Sequence, residues 1–334
     1  MRDEDSRLRC AFRRVRLFLV TLLVILPPAQ AMPANAGVPP QELLAAGRVD
    51  DAIQALQEKI GQSPNDAESY NLLCRAYFML EDWDRAISVC ERARNLDSHN
   101  SLYQLWLGRA YGEKADRTGF LSAAGMAKKV RTAFEAAVEL DPKSWEARTD
   151  LAEFYLEAPG IVGGGKDKAQ AQADALMQLN PAMAHWVQAR IADKEKDTVT
   201  AEREYRAMVA ASHSGTRALL DLALFLRHTN RFDEMEQVLQ TLESARIDRD
   251  ESLMDGASIL LRADRNYPLA IRLLRRYLES PVEEGPAFKA HDMLGHLLEK
   301  QGDRKAAADE YRAALAIAHN YARAMEDLKR VQSN

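Results

Sequence analysis

The stretch from Asn65 to Asn100 recurs along the chain, and this recurrence limits the possible fold more than any other feature. Within it Leu73, Tyr77, Trp83, Ala86, Ile87, Cys90 and Ala93 keep helical spacing on two runs, divided by the polar turn Glu81–Asp82. A shift of 34 residues carries Leu73 to Leu107, Cys74 to Gly108 and Tyr77 to Tyr111. The same shift backwards carries Ala86 to Ala52 and Ser98 to Pro64. One helical pair of this size cannot bury its apolar face alone, so a fixed period implies stacked copies that share a continuous core. A chain of 334 residues, 47 % hydrophobic and 28 % charged, has room for two conventional domains or one such array. Repetition decides for the array.

The copies differ in ways that predict local structure. The first, Pro39 to Pro64, has a short first helix, a turn at Gly47 and second-helix positions Ala52 and Leu56. The third opens with Leu107, Gly108 and Tyr111, but its second helix is displaced: Ala93 to Ala137 is 44 residues. Ala123, Ala127, Val130, Phe134 and Ala137 keep helical spacing, so the ten extra residues extend that second helix backwards. The fourth, from Trp145 through Leu151 and Tyr155 to Ala169, carries an insertion within EAPGIVGGGKD. Pro159 ends its first helix and the glycines prevent continuation. The fifth to seventh are degenerate, marked by Trp186, Ala189 and Tyr205, by Leu219, Leu222 and Leu239, and by Met254, Ala257 and Tyr277. The eighth is regular again, with Leu294, Gly295, Gly302, Ala307, Tyr311 and Ala314. Residues 320–331 predict one more helix, with Ala324 and Leu328 inward, as a polar-faced cap. No stretch alternates with period two long enough for a strand, so the expected class is all-α.

The period and the small residues at the tightest helix contacts resemble the tetratricopeptide repeat (TPR) family over roughly residues 40–331. That resemblance implies a right-handed superhelix, an α-solenoid of about eight helix–turn–helix repeats plus a C-terminal capping helix. It also implies a groove lined by the first helices, which in the family holds extended peptides or partner helices without catalysis or a cofactor. The candidate groove contacts are Asn71, Arg75, Leu105, Arg109, Thr149 and Glu153. One TPR subclass clamps a peptide carboxylate with Lys and Asn at such positions. Here Asn71, Arg75 and Arg109 are followed by Thr149, Asp150 and Glu153, so acids stand where cations belong and the clamp is incomplete. Arg75 and Arg109, 34 residues apart, are expected one unit apart on the groove wall.

The chain resembles exported bacterial members of the family. Arg13, Arg14 and Arg16, the apolar run 17–26 and Ala29-Gln30-Ala31 read as a secretory signal peptide over residues 1–31. The expected organisation is then a linker over 32–38, the solenoid over 39–319 and the cap and tail over 320–334. Export places the protein in the periplasm or the medium, with no membrane span once the signal is cleaved. The whole chain carries a net −5, and the signal removes six arginines against three acids. Such an acidic chain is a poor nucleic-acid binder by bulk charge. Cys10 leaves with the signal. Cys74 and Cys90 face each other across one hairpin, either as a disulfide or as two buried small hydrophobes.

Other motifs fail on their own chemistry. The run 160–166 matches G-x-x-x-x-G-K, but Asp167 replaces the magnesium-binding hydroxyl and a helix, not a strand, precedes it. His291 and His296 are five apart, off one helix face, so no metal is expected. An enzyme would need a catalytic constellation, and the sequence carries none. Both insertions, 112–125 and 159–167, are first-to-second-helix turns of consecutive units, so they should meet on one edge. Phe120, Leu121, Ile161 and Val162 then either cover a local apolar seam or form a lip for a partner. The functional expectation is an exported, non-catalytic scaffold of the bacterial cell envelope that binds a protein or peptide. The alternative is an accessory subunit of an envelope polysaccharide or secretion machine.

Overall fold

The computed structural model describes residues 37–117, 120–247, 251–280 and 287–333, and the side chains of all of these except 120–123. The expected signal peptide and most of the expected linker lie outside the described residues. Residues 38–334 form one compact unit. It is built from helical hairpins: α1 Pro40–Ala45 with α2 Val49–Gln62, α3 Ala67–Met79 with α4 Trp83–Leu96, and α5 Ser101–Asp116 with α6 Phe120–Leu140. Next come α7 Trp145–Glu157 with α8 Lys166–Leu179, α9 Pro181–Lys194 with α10 Thr198–Ala211, and α11 Thr216–His228 with α12 Phe232–Ser244. The array ends with α13 Glu251–Arg262 and α14 Tyr267–Glu279, α15 Ala287–Lys300 and α16 Arg304–Ile317, and the single helix α17 Ala322–Ser333. The all-α solenoid of eight pairs and a cap is therefore present, with no strand among the described residues. Its degenerate units fold as regularly as its well-marked ones.

Local signals set the helix ends. Asp66, Asn100, Ser144 and Asn180 each accept a backbone N–H at the start of α3, α5, α7 and α9, which satisfies one of the orphan donors there. Between the two helices of a hairpin the chain takes a left-handed residue, at Gly47, Glu81, Lys196, Asn230, Asp264 or Gly302, joined by Asn266 in the α13–α14 turn. Most of these recur at intervals of 34, so one reverse turn is reused. Where residues have been inserted the turn changes. The third unit lengthens α6 to 21 residues, as the spacing predicts. The fourth forms a single 3-10 turn, Gly160–Val162.

Packing within the third and eighth hairpins matches a glycine against an aromatic ring. A Cβ on Gly108 would lie 2.5 Å from the Phe134 ring, and one on Gly295 would lie 2.6 Å from the Tyr311 ring. In the second unit the same two positions hold Cys74 and Cys90, which are joined by a disulfide with a Cα separation of 5.3 Å. Ala86 and Ala137 are fully buried at the neighbouring close contact. Ala86→Leu or Ala137→Leu should destabilise the protein by about 1–3 kcal/mol through overpacking. Chemical denaturation checks this, and unchanged stability in both variants would mean the repeat register is wrong.

Consecutive units also share polar contacts that keep the repeat interval. Tyr111 donates to Glu91 at 2.5 Å and Tyr155 to Glu135 at 2.9 Å, and Gln57 donates to Tyr77 at 3.2 Å. Each joins a second helix to the next unit's first helix. Burial and the Glu135 bond push the Tyr155 hydroxyl up to about 12. First helices touch each other along most of the array (α1 with α3, α3 with α5, α7 with α9, α11 with α13, α13 with α15). They therefore lie on the tighter, inner side.

Candidate functional site

The inner wall is built from the first helices, whose side chains meet in a ladder from unit to unit. Trp106 on α5 lies between two guanidinium groups, Arg75 of α3 at 5.4 Å and Arg109 of its own helix at 4.9 Å. Arg109 Nε then donates to Asp150 Oδ2 of α7 at 2.6 Å. On α7, Glu153 and Glu157 face Arg190 of α9 at 3.6 Å and 2.6 Å, and Lys194 donates to Glu157 at 2.9 Å. Trp186 on α9 repeats the first arrangement, between Arg190 at 5.2 Å and Arg217 of α11 at 5.7 Å. Two tryptophans, each stacked by two arginines, thus flank an acidic helix. Cation–π contact is strongest on Trp, and Arg stacks flat on its face.

This geometry assigns different places to the expected groove residues. Arg75, Arg109 and Glu153 belong to the ladder. Asn71, Leu105 and Thr149 do not present their side chains to a partner, because all three are buried. They sit where neighbouring first helices crowd together, and the Thr149 hydroxyl donates to Trp145 O at 2.8 Å in its own helix. Half of the Glu153 side chain is reached by water, yet protein stands close around it. Burial pushes its carboxyl up, while Arg190 pulls the other way. That is the condition of a group on the wall of a narrow concavity. The acids of α7 neutralise the arginines of α5 and α9, so the wall offers no free cation pair for a carboxylate clamp. Sequence reading takes Trp186 only as a marker of the fifth unit and passes over Trp106, Arg190 and Arg217. Their signal is the spacing W-x-x-R at Trp106 and W-x-x-x-R at Trp186, which puts each arginine one turn from its indole.

The same ladder closes the C-terminal end. Asp292 and His296 of α15 and Asp327 of α17 bring three donor atoms within 4.8 Å of one another, the spacing of a cation site. The positive charge there is supplied by arginine. Arg323 Nε lies 3.0 Å from Asp292 Oδ2, Arg330 lies 2.7 Å from Asp327 Oδ1, and Arg330 also forks onto Glu299 at 2.6 and 2.8 Å. His291 pairs instead with Glu310 of its own hairpin at 2.7 Å. Asp292 is only 2 % exposed, and burial raises its carboxyl above the ordinary 3.8 against the pull of Arg323. A carboxyl raised by folding keeps its proton longer in the folded state. Its contribution to stability therefore falls as pH rises from 3.8 through the higher folded value. Asp292→Asn should flatten that decline, read as melting midpoints across the acid range. A profile as steep as that of the wild type would mean that Asp292 does not titrate as the geometry requires.

The glycine-rich turn of the fourth unit is a built structure. The amides of Gly163, Gly164 and Gly165 donate to Gly160 O, Pro159 O and Tyr155 O at 3.0, 3.2 and 2.9 Å. Those amides are spent internally and cannot cradle a phosphate. Arg131 of α6 donates to Val162 O at 3.3 Å and Lys168 to Gly163 O at 2.8 Å. A Cβ on Gly164 would sit 1.8 Å from Ala158 O, so this position demands glycine. The insertion thus packs on α6, the helix that holds the other insertion. Ile161 stands 95 % exposed at its tip and Val162 is half-buried. The side chains of Phe120 and Leu121 lie outside the described residues.

Residues 43–110 and 288–321 match family models described as tetratricopeptide repeat. No curated protein matches the chain in sequence. Among solved structures, yeast Tom70 superposes with a TM-score of 0.54 at 16 % identity, covering 85 % of this chain and 58 % of Tom70. A thermophilic TPR protein from Thermus thermophilus covers 56 % of this chain and 97 % of its own, with TM-score 0.48 and 16 % identity. A tetratricopeptide repeat protein from Parabacteroides merdae covers 88 % and 96 %, with TM-score 0.43 and 13 % identity. At 16 % identity the likeness to Tom70 is one of fold alone.

Proposed function

Because this chain is a tetratricopeptide repeat protein, we propose that it is a non-catalytic scaffold that holds a protein or peptide partner against its inner wall. The observation that carries this reading is the unbroken ladder from Arg75 to Arg217, with two Arg-stacked tryptophans on a rigid helical frame. Arginine and glutamate heads at its surface offer hydrogen bonds to a peptide backbone. Mutual neutralisation keeps the wall from selecting a strongly charged partner.

The reading extends to an exported protein of the bacterial envelope. The basic-apolar-small pattern of residues 1–31 supports it, and so does a disulfide, which persists in oxidising compartments. Among the described residues no helix is long and apolar enough to cross a membrane.

Affinity capture from an envelope extract tests the reading. The wild-type protein should retain a defined partner, and the double variant Arg109→Ala, Arg190→Ala should lose it while melting cooperatively. Capture of the same proteins by both forms would overturn the inner wall as the binding surface. The identity of what is captured separates a general scaffold from an accessory subunit of a polysaccharide or secretion machine.

A further inference from the structure

The first and last units of the array touch. Gly47, in the α1–α2 turn, lies so close to α15 that a Cβ on it would be 2.5 Å from Ala287 Cβ. Lys289 of α15 pairs with Glu81, in the α3–α4 turn, at 2.5 Å, although 208 residues separate them. The backbone N–H of His319, in the α16–α17 loop, donates to Asp50 Oδ2 of α2 at 2.8 Å, and the His319 ring meets the same carboxylate. Between these contacts lies a cavity of about 520 Å³ lined by Gln54, Gln57, Arg85, Phe288, Asn320 and Tyr321, among others. One edge of the first two units thus rests on the opposite edge of the eighth. The array completes one turn and its ends meet.

We propose that this seam is a gate. Closed, it makes the inner wall the lining of an enclosed lumen. Open, it admits a partner from the side. Seven first helices, α3 to α15, at spacings of about 10 Å describe a circle roughly 22 Å across between helix axes. A helix about 10 Å in diameter, side chains included, then leaves a passage of roughly 12 Å. Such a passage takes a single extended chain and excludes a folded domain. The partner class is therefore an unfolded peptide segment, laid in while the seam is open. This partner class rests on the reading of the inner wall given above. The seam itself does not.

The seam is held differently from the junctions between consecutive units. Elsewhere, neighbouring units bury aromatic contacts such as Phe78 edge-on to Trp106 at 5.5 Å. The ion pairs at the seam are partly open to water, with His319 69 % and Glu81 39 % exposed. Exposed pairs contribute little and are screened by salt.

The test needs no partner. In a Cys10→Ser background, Glu153→Cys places a thiol on the inner wall, since Cys74 and Cys90 are held in the disulfide. A long polyethylene glycol maleimide should react slowly at low salt, and about three- to tenfold faster in high salt or with Lys289→Glu, as expected when an exposed pair becomes a repulsion. Exchanging the charges, Glu81→Lys with Lys289→Glu, should bring the rate part of the way back, since a lysine at 81 also faces Arg117, which lies 3.4 Å from Glu81. The small reagent N-ethylmaleimide should change by less than about twofold, since it needs no wide opening. Small-angle scattering should show the same order, with a larger radius of gyration for Lys289→Glu and partial recovery on exchange. A polymer rate and radius that ignore salt, the single variant and the exchange would overturn the gate. That result would leave the capture experiment to stand or fall by itself.

Discussion

Tyr311→Ala should lower the stability of the C-terminal units by about 3–5 kcal/mol, the range for truncating a fully buried aromatic. Tyr311 has no exposed surface, and its ring covers Gly295, where even a Cβ would come within 2.6 Å. Removing the ring leaves a void that the flanking helices cannot fill, because Gly295 has no side chain to move into it. The hydroxyl adds less. It donates to Glu299 at 2.7 Å, and Glu299 keeps both Arg330 bonds when the hydroxyl is lost. Tyr311→Phe should therefore cost about 1 kcal/mol. In a linear array, damage stays near its source. Hydrogen exchange should rise in α15, α16 and α17 and remain unchanged in α5 to α10. Uniform acceleration along the chain would show that the array unfolds as one block.

Reduction of the Cys74–Cys90 disulfide should cost about 3 kcal/mol, the loop-entropy value for a closed loop of some 15 residues. The link spans 16 residues and joins the two helices of the second unit where other units set glycine against an aromatic ring. Both cysteines are fully buried, so reductant alone should act slowly and only through local opening. Mild denaturant should accelerate reduction, and the reduced protein should exchange faster in α3 and α4. Two free thiols by intact mass after non-reducing purification, or a melting midpoint indifferent to reduction, would contradict the expected contribution. Replacing both cysteines by alanine should reproduce the loss and add the small cost of two shortened side chains.

A period of 34 with small residues at Ala86, Ala137 and Gly295 was enough to determine the class, the eight hairpins, the backward extension of α6, the interruption in the fourth unit and the capping helix. These are local properties. Helical spacing, caps and reverse turns act within one or two units, and one good copy teaches the register of its neighbours. The pairing of Cys74 with Cys90 is legible for the same reason, although the residues alone leave its oxidation open. Contacts between distant or sideways neighbours are not legible. Arg109 looks like an available groove cation until Asp150, 41 residues on, is placed against it. Asn71, Leu105 and Thr149 look available until the crowding of first helices on the inner side buries them. The meeting of Glu81 with Lys289 and of Asp50 with His319 depends on small rotations added over seven unit-to-unit junctions. No residue pattern records that sum, because each junction sets its own angle through packing. Repetition in the sequence therefore determined what each unit is, while only the tertiary structure decided where the eighth unit lands and which charges on the inner wall cancel.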